Sequence, residues 1–160
     1  MKTFNTIVKE GAPSFTVTLG IDERIKSKLI VMTDTHEQIG ISLPRGLVLQ
    51  EDTLIANEDG QIVKVVCAPE SVSTVSADDP VLLCTLAYHL GNRHVPLQID
   101  RSGFLRYLSD HVLDDMVVRL GGKLIKEKAK FNPLPGAYGH THSHEHSHTH
   151  EHTHEHTHEH

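Results

Sequence analysis

The rhythm of hydrophobic and polar positions along this chain changes once, near residue 70. Before that point apolar residues recur at every second position. Residues 14–19 alternate as SFTVTL, Lys28–Met32 is a short run rich in β-branched residues, and 38–43 places Ile39, Ile41 and Leu43 on one face. Successive side chains of a strand point to opposite faces, so a period of two predicts half-buried strands. Asp59-Gly60 separates 53–56 from 61–66 and predicts a hairpin with a type I′ turn, because both residues tolerate positive φ. Residues 1–70 therefore read as an N-terminal all-β domain.

Beyond Pro69 strand and helix periods take turns. Residues 71–76 (SVSTVS) predict a strand. Asp78 or Asp79 can then cap a helix from Pro80 to about Leu90, with Pro80 in the first turn and Gly91 as its stop. Val95, Leu97 and Ile99 alternate, 100–103 (DRSG) reads as a turn, and 104–108 returns as a strand. Ser109 or Asp110 caps a second helix carrying Val112, Leu113, Met116, Val117 and Leu120, stopped by Gly121-Gly122, and 123–128 is a last strand. Residues 104–120 also fit one long helix of period 3.6, but the DRSG turn favours strand then helix. The order β-α-β-β-α-β over 71–130 is that of a ferredoxin-like domain, so the whole chain reads as α+β. From Lys130 the sequence turns Pro/Gly-rich and then strictly alternating and polar, which predicts a flexible linker and a disordered His-rich tail over 131–160.

That tail dominates the composition. Of 15 histidines in 160 residues, 11 occupy every second position from 140 to 160, and the first 139 residues keep four. Without the tail the chain has 15 Lys and Arg against 17 Asp and Glu, so the body is almost neutral. No basic stripe is present to displace counterions from phosphates, which argues against a nucleic-acid partner. No apolar run approaches the 18 or so residues of a membrane span, and the start MKTFNTIVKEGAPSF lacks an apolar signal-peptide core, so the expectation is a soluble, cytoplasmic protein away from membranes. Cys67 and Cys84 lie 17 residues apart in apolar runs without a C-x-x-C partner and read as reduced core thiols.

Imidazole suits Zn, Cu and Ni. His140, His142, His144, His146, His148, His150, His152, His154, His156, His158 and His160 therefore predict a metal-binding tail of high capacity, fast exchange and little geometric selectivity. Protons compete for the same nitrogens near the reference histidine pKa of about 6.5, so binding should fade on acidification. Thr, Ser and Glu interleave with the histidines, unlike an uninterrupted purification tag. Three tail windows, beginning at His144, His150 and His154, match H-E-x-x-H, but that zinc-protease pattern works only on a helix, where both imidazoles share a face. His36-Glu37 has Gly40 where the second histidine would stand, and Gly121-Gly122-Lys123 lacks the rest of a P-loop. In the body, His89, His94 and His111 lie near the predicted helix ends. A lone body histidine is more often structural than a ligand, but His94 follows Gly91-Asn92-Arg93 at a helix-to-strand turn that would hold its ring outward. One imidazole is too few donors for a divalent ion, so such a ligand requires a second subunit or the tail.

The run His89-Leu90-Gly91-Asn92-Arg93-His94-Val95-Pro96-Leu97-Gln98-Ile99 resembles the signature of the urease accessory protein UreE family, nickel metallochaperones. Three further stretches are similar to that family and come in its order. They are Leu43-Pro44-Arg45-Gly46 with Asp52-Thr53-Leu54, then Asp110-His111-Val112-Leu113-Asp114-Asp115-Met116, and finally 131–139 leading into the tail. The resemblance covers about residues 40 to 160. It implies an N-terminal domain that binds polypeptide, a ferredoxin-like metal domain, and a homodimer in which His94 faces its symmetry mate and shares one Ni²⁺. His89 and His111 are implied as accessory ligands, while imidazole chemistry itself predicts that Zn²⁺ and Cu²⁺ bind as well. It further implies delivery to the urease apoprotein complex with the urease accessory GTPase, and no enzymatic activity of the chain's own. Two other readings compete: a metal storage or detoxification buffer working through the tail alone, and a metal-dependent hydrolase, which would need three fixed ligands and a general base.

Overall fold

The computed structural model describes residues 1–135. The eleven tail histidines, and the tail expected to be disordered, lie outside the described residues.

The alternating segments of the first half pair into two small sheets. One has the order β1 (Lys2–Phe4), β5 (Gln38–Ser42), β4 (Lys28–Met32); the other runs β2 (Thr6–Val8), β6 (Leu54–Ala56), β7 (Ile62–Cys67), β3 (Phe15–Leu19). β7 shows how pattern becomes packing: Val63, Val65 and Cys67 are buried while the residues between them are half-buried. In the parallel register Val17 lies beside Val65 and Leu19 beside Cys67. A one-residue slip would turn this whole inward row to solvent, so burial fixes the register. Phe4, Ile39, Ile41 and Ile55 complete the core between the sheets.

The hairpin at 57–61 forms, but with a different turn from the expected I′. Only Gly60 has a positive φ (77°), and its N–H bonds to the Asn57 carbonyl at 3.1 Å. This is a type I turn followed by a left-handed glycine. The Asn57 side chain holds it by accepting from the N–H groups of Asp59 and Gln61. The N-terminal half also contains a one-turn helix, α1 (Ile21–Arg24), and the short strands β1 and β2, none of which the alternation picks out.

In the second half the sheet order is β11 (Lys123–Lys130), β8 (Pro69–Ser76), β10 (Leu105–Leu108), β9 (Gln98–Ile99), with antiparallel neighbours throughout. With α2 (Pro80–Gly91) and α3 (His111–Arg119) this is the ferredoxin-like βαββαβ arrangement. Asp79 caps α2 by accepting from Leu82 N–H at 2.8 Å, and Asp110 caps α3 by accepting from Val112 and Leu113. Such caps contribute about 1 kcal/mol each. Leu86 and Leu90 of α2 pack with Leu113 and Val117 of α3 over Val75, Leu105 and Tyr107. Gly122 permits this packing, since a Cβ there would lie 2.8 Å from Val117 Cγ1 and 2.9 Å from Leu86 Cδ1.

Three features differ from the sequence reading. The strand expected over 95–99 is only Gln98–Ile99, because Pro96 has no N–H to give a ladder. Cys84 lies exposed on α2, whereas Cys67 is buried as expected. Residues 131–135, read as the start of a flexible linker, are docked. Phe131 is fully buried beside Val72 and Ile21, and Asn132 N–H donates to Gln98 Oε1. A Pro-rich composition suggests solvent exposure, but one aromatic anchor outweighs it.

Arg24 joins the two halves. Its guanidinium is fully buried and donates to the carbonyls of Leu19, Leu49 and Phe131, with Glu70 at 3.5 Å.

Candidate metal centre

The three body histidines near the helix ends do not converge. His89 sits in the last turn of α2, with Tyr88 packed edge-on at 5.4 Å between ring centres. It shares a groove of about 540 Å³ with Arg93, His111, Asp115 and Arg119. His94 lines a separate apolar groove, also about 540 Å³, with Ile21, Ile25, Val95, Pro96 and Leu134.

The backbone explains how His94 is presented. After α2 the chain tightens into consecutive turns, with Arg93 N–H bonded to the Leu90 carbonyl and His94 N–H to the Gly91 carbonyl at 3.2 Å. His94 itself takes the left-handed conformation, φ 55°. Histidine is among the residues that visit this region, at a cost of order 1 kcal/mol. Val95 and Leu97 on its C-terminal side are packed against the core, so the strain is held in place and the imidazole stays exposed.

Helix electrostatics separate the three. α2 points its negative end toward His89 and His94, a favourable field for a cation. His111 is the first residue of α3, at the positive end, where a bound cation is disfavoured. Both His94 and His111 are exposed, and His89 is half-buried. Among the described residues no three His, Cys, Asp or Glu side chains are grouped as a metal site. Cys67 adds no donor, since burial pushes its thiol up to about 11 and keeps it protonated at neutral pH.

The loop carrying His94 is tied to the root of the tail. Leu134 N–H donates to the Leu97 carbonyl at 2.8 Å, and Pro135, the last described residue, lines the same groove as His94.

A polar network beneath α3 went unread in the sequence. Asp114 is buried, accepts from Tyr107 Oη at 2.5 Å and Ser73 Oγ at 2.7 Å, and has Lys126 at 3.3 Å. Burial alone would raise this carboxyl. The hydrogen bonds from Tyr107 and Ser73, with the nearby Lys126 ammonium, outweigh it and hold Asp114 below the usual carboxylate range. Burial pushes the Tyr107 hydroxyl the other way, upward, and Asp114 adds to the shift. The one signal available was an acidic pair, Asp114-Asp115, whose first member falls on the buried side of an amphipathic helix.

Comparison with known proteins gives consistent matches. Residues 5–68 match the family model described as UreE urease accessory protein, N-terminal domain, and residues 70–160 match UreE urease accessory protein, C-terminal domain. The urease accessory protein UreE of Proteus mirabilis is 50% identical over 127 residues, covering 79% of this chain and 78% of that protein. The protein of the same name from Aliivibrio fischeri strain ES114 is 51% identical over 128 residues (80% and 78%), and that of Pseudomonas putida strain W619 is 54% identical over 124 residues (77% and 76%).

Proposed function

Since the chain belongs to the UreE urease accessory protein family, with the role in urease maturation that this family carries, we propose that it is a nickel metallochaperone. Two copies share one Ni²⁺ between their His94 rings, and tail histidines fill the remaining positions. The observation that carries this reading is the presentation of His94: exposed, held in a strained left-handed turn beyond the negative end of α2, with no second ligand beside it among the described residues. A divalent ion needs more donors than one imidazole, and a symmetry mate supplies the second.

The tail takes part because of where it starts. His140 is five residues beyond Pro135, a reach of up to about 18 Å in extended chain, and Pro135 borders the His94 groove. Each exchange then replaces one metal–imidazole bond by another, which suits a carrier that must release its cargo. His89, in the last turn of α2, is a better accessory ligand than His111, given the helix fields. Zn²⁺ and Cu²⁺ bind the same nitrogens, so selectivity for nickel rests on the partners that receive it. Those partners are the urease apoprotein complex and the urease accessory GTPase. The chain works in the cytoplasm as a homodimeric carrier and not as a catalyst; no described helix is long and apolar enough to cross a membrane.

The competing reading is a storage buffer in which the eleven tail histidines are the whole function. His94→Ala tested in nickel-dependent urease activation separates the two. Delivery predicts loss of activation with tail capacity retained; storage predicts activation unchanged.

A further inference from the structure

The groove beside His94 is lined by Ile21 and Val48 from the N-terminal half and by Val95 from the segment after α2. Ile25, Ile99 and Leu134 line it as well and keep about half of their surface in water. Covering them would take apolar surface out of water, which is favourable. A cavity of about 150 Å³ already admits a benzene ring, so a groove of about 540 Å³ has room for an aromatic side chain. The groove of similar size beside His89 is bordered by Arg93, His111, Asp115 and Arg119, and that charged lining suits a ring less well.

Pro135, the last described residue, lies on the His94 groove. The chain is held there by two backbone carbonyls: the Pro133 carbonyl accepts from Gln50 Nε2 at 3.3 Å, and Leu134 N–H donates to the Leu97 carbonyl at 2.8 Å. The sequence then continues Gly136-Ala137-Tyr138-Gly139 before the first tail histidine. Pro135-Gly136 is the pair that favours a type II turn, because proline presets the φ of the first central position and glycine takes the positive φ of the second. A turn there directs Ala137 and Tyr138 back toward Leu134. Tyr138 is the only large apolar side chain over 136–160, where every other residue is Gly, Ala, Thr, Ser, His or Glu. Three residues of extended chain span about 10 Å, so its ring starts within reach of the groove.

We propose that Tyr138 folds back into the His94 groove and anchors the root of the tail there, with its ring on Ile25, Val95 and Leu134 and its hydroxyl at the open rim. A side chain with an apolar body and a polar tip suits a groove that opens to water. A segment tethered this closely meets the groove at an effective concentration of order millimolar, which favours it over a second copy or a separate protein. Anchored in this way, the tail places His140 two residues from a fixed point, about 7 Å in extended chain. The docking needs no metal; its use in passing tail-bound nickel to His94 rests on the delivery reading above.

Nuclear Overhauser contacts in the metal-free full chain test it. The Tyr138 ring should contact methyl groups of Ile25, Val95 and Leu134 within one chain, and Tyr138→Phe should retain those contacts. Ile25→Asp, a change at the exposed rim, should abolish them and speed chymotryptic cleavage after Tyr138 at least tenfold. If Ile25→Asp disturbs the fold, Ile99→Asp at the same rim decides by the same criterion. A wild-type Tyr138 ring without contacts to the groove would overturn the proposal, as would cleavage in the deciding variant within twofold of wild type. Contacts found only between chains, in a mixture of labelled and unlabelled protein, would overturn it too and assign the groove to a second copy. Urease activation unchanged in His94→Ala would contradict the delivery reading while the Tyr138 contacts stand, so the two readings fail separately.

Discussion

Leu134 donates its N–H to the carbonyl of Leu97, 2.8 Å away and three residues past His94. The segment that leads into the tail is therefore rooted beside the His94 loop, and in the proposed carrier the tail histidines would act on His94 at the high local concentration of a short tether. Leu134→Pro removes this donor. Transfer of nickel from tail to body, followed by rapid mixing, should slow severalfold in this variant, while the total nickel bound stays unchanged.

In the proposed site His94 would be a ligand at a strained backbone position, and two substitutions separate the two roles. His94→Ala and His94→Gly should both abolish the shared metal site. Glycine has no Cβ penalty at φ 55°, so His94→Gly should be the more stable of the two by about 1 kcal/mol. Thermal unfolding of the metal-free proteins reads the difference, and equal melting temperatures would show that the turn is unstrained.

Arg24 is buried with its donors spent on three carbonyls and the Glu70 carboxylate 3.5 Å away. Arg24→Met leaves these acceptors and a carboxylate without their cation, at a cost of about 3–5 kcal/mol. Because one of the carbonyls belongs to Phe131, the docked 131–135 segment should loosen as well. Tryptic cleavage after Lys130 should accelerate in the variant, and an unchanged digestion rate would mean that the Phe131 side chain alone holds the segment.

Asp114 should make stability depend on acid. Its carboxyl is held low in the folded chain, so the unfolded chain binds the proton more readily and stability rises with pH. That contribution is complete above the unfolded value of about 3.9 and is lost as pH falls through the depressed folded value. Asp114→Asn should unfold more easily at pH 7, by about 1–3 kcal/mol, yet lose less than the wild type between pH 5 and pH 3. Denaturant titrations at the three pH values check both halves.

Elements with a strong period and a local punctuation mark were legible from sequence. Lys28–Met32 and the helix caps Asp79 and Asp110 are placed as their residues indicate. The 104–108 segment resolves into strand rather than helix because the DRSG turn closes, with Gly103 N–H on the Asp100 carbonyl. What escaped was decided by tertiary context. Ile21–Arg24 is too short to show a period, and its helix exists because Ile21 and Arg24 are buried at the junction of the two halves. Phe131 looks like a linker residue until Val72 is folded beneath it. Cys84 sits in an apolar run yet on the outer face of α2, since a run without a break hides which side of a helix is wet. At the candidate metal centre, the run Gly91-Asn92-Arg93-His94 singled out His94, but nothing in the letters separates the grooves of His94 and His89, because that division depends on how α2 ends.

The central claim is that His94 forms a nickel site only when two chains come together. Calorimetric titration of nickel into residues 1–139, which lack every tail histidine, tests it directly when run at two protein concentrations. The account predicts one ion per two chains, with an apparent affinity that rises with protein concentration and a signal that vanishes in His94→Ala. A stoichiometry of one ion per chain, or a shared site that survives His94→Ala, would contradict it.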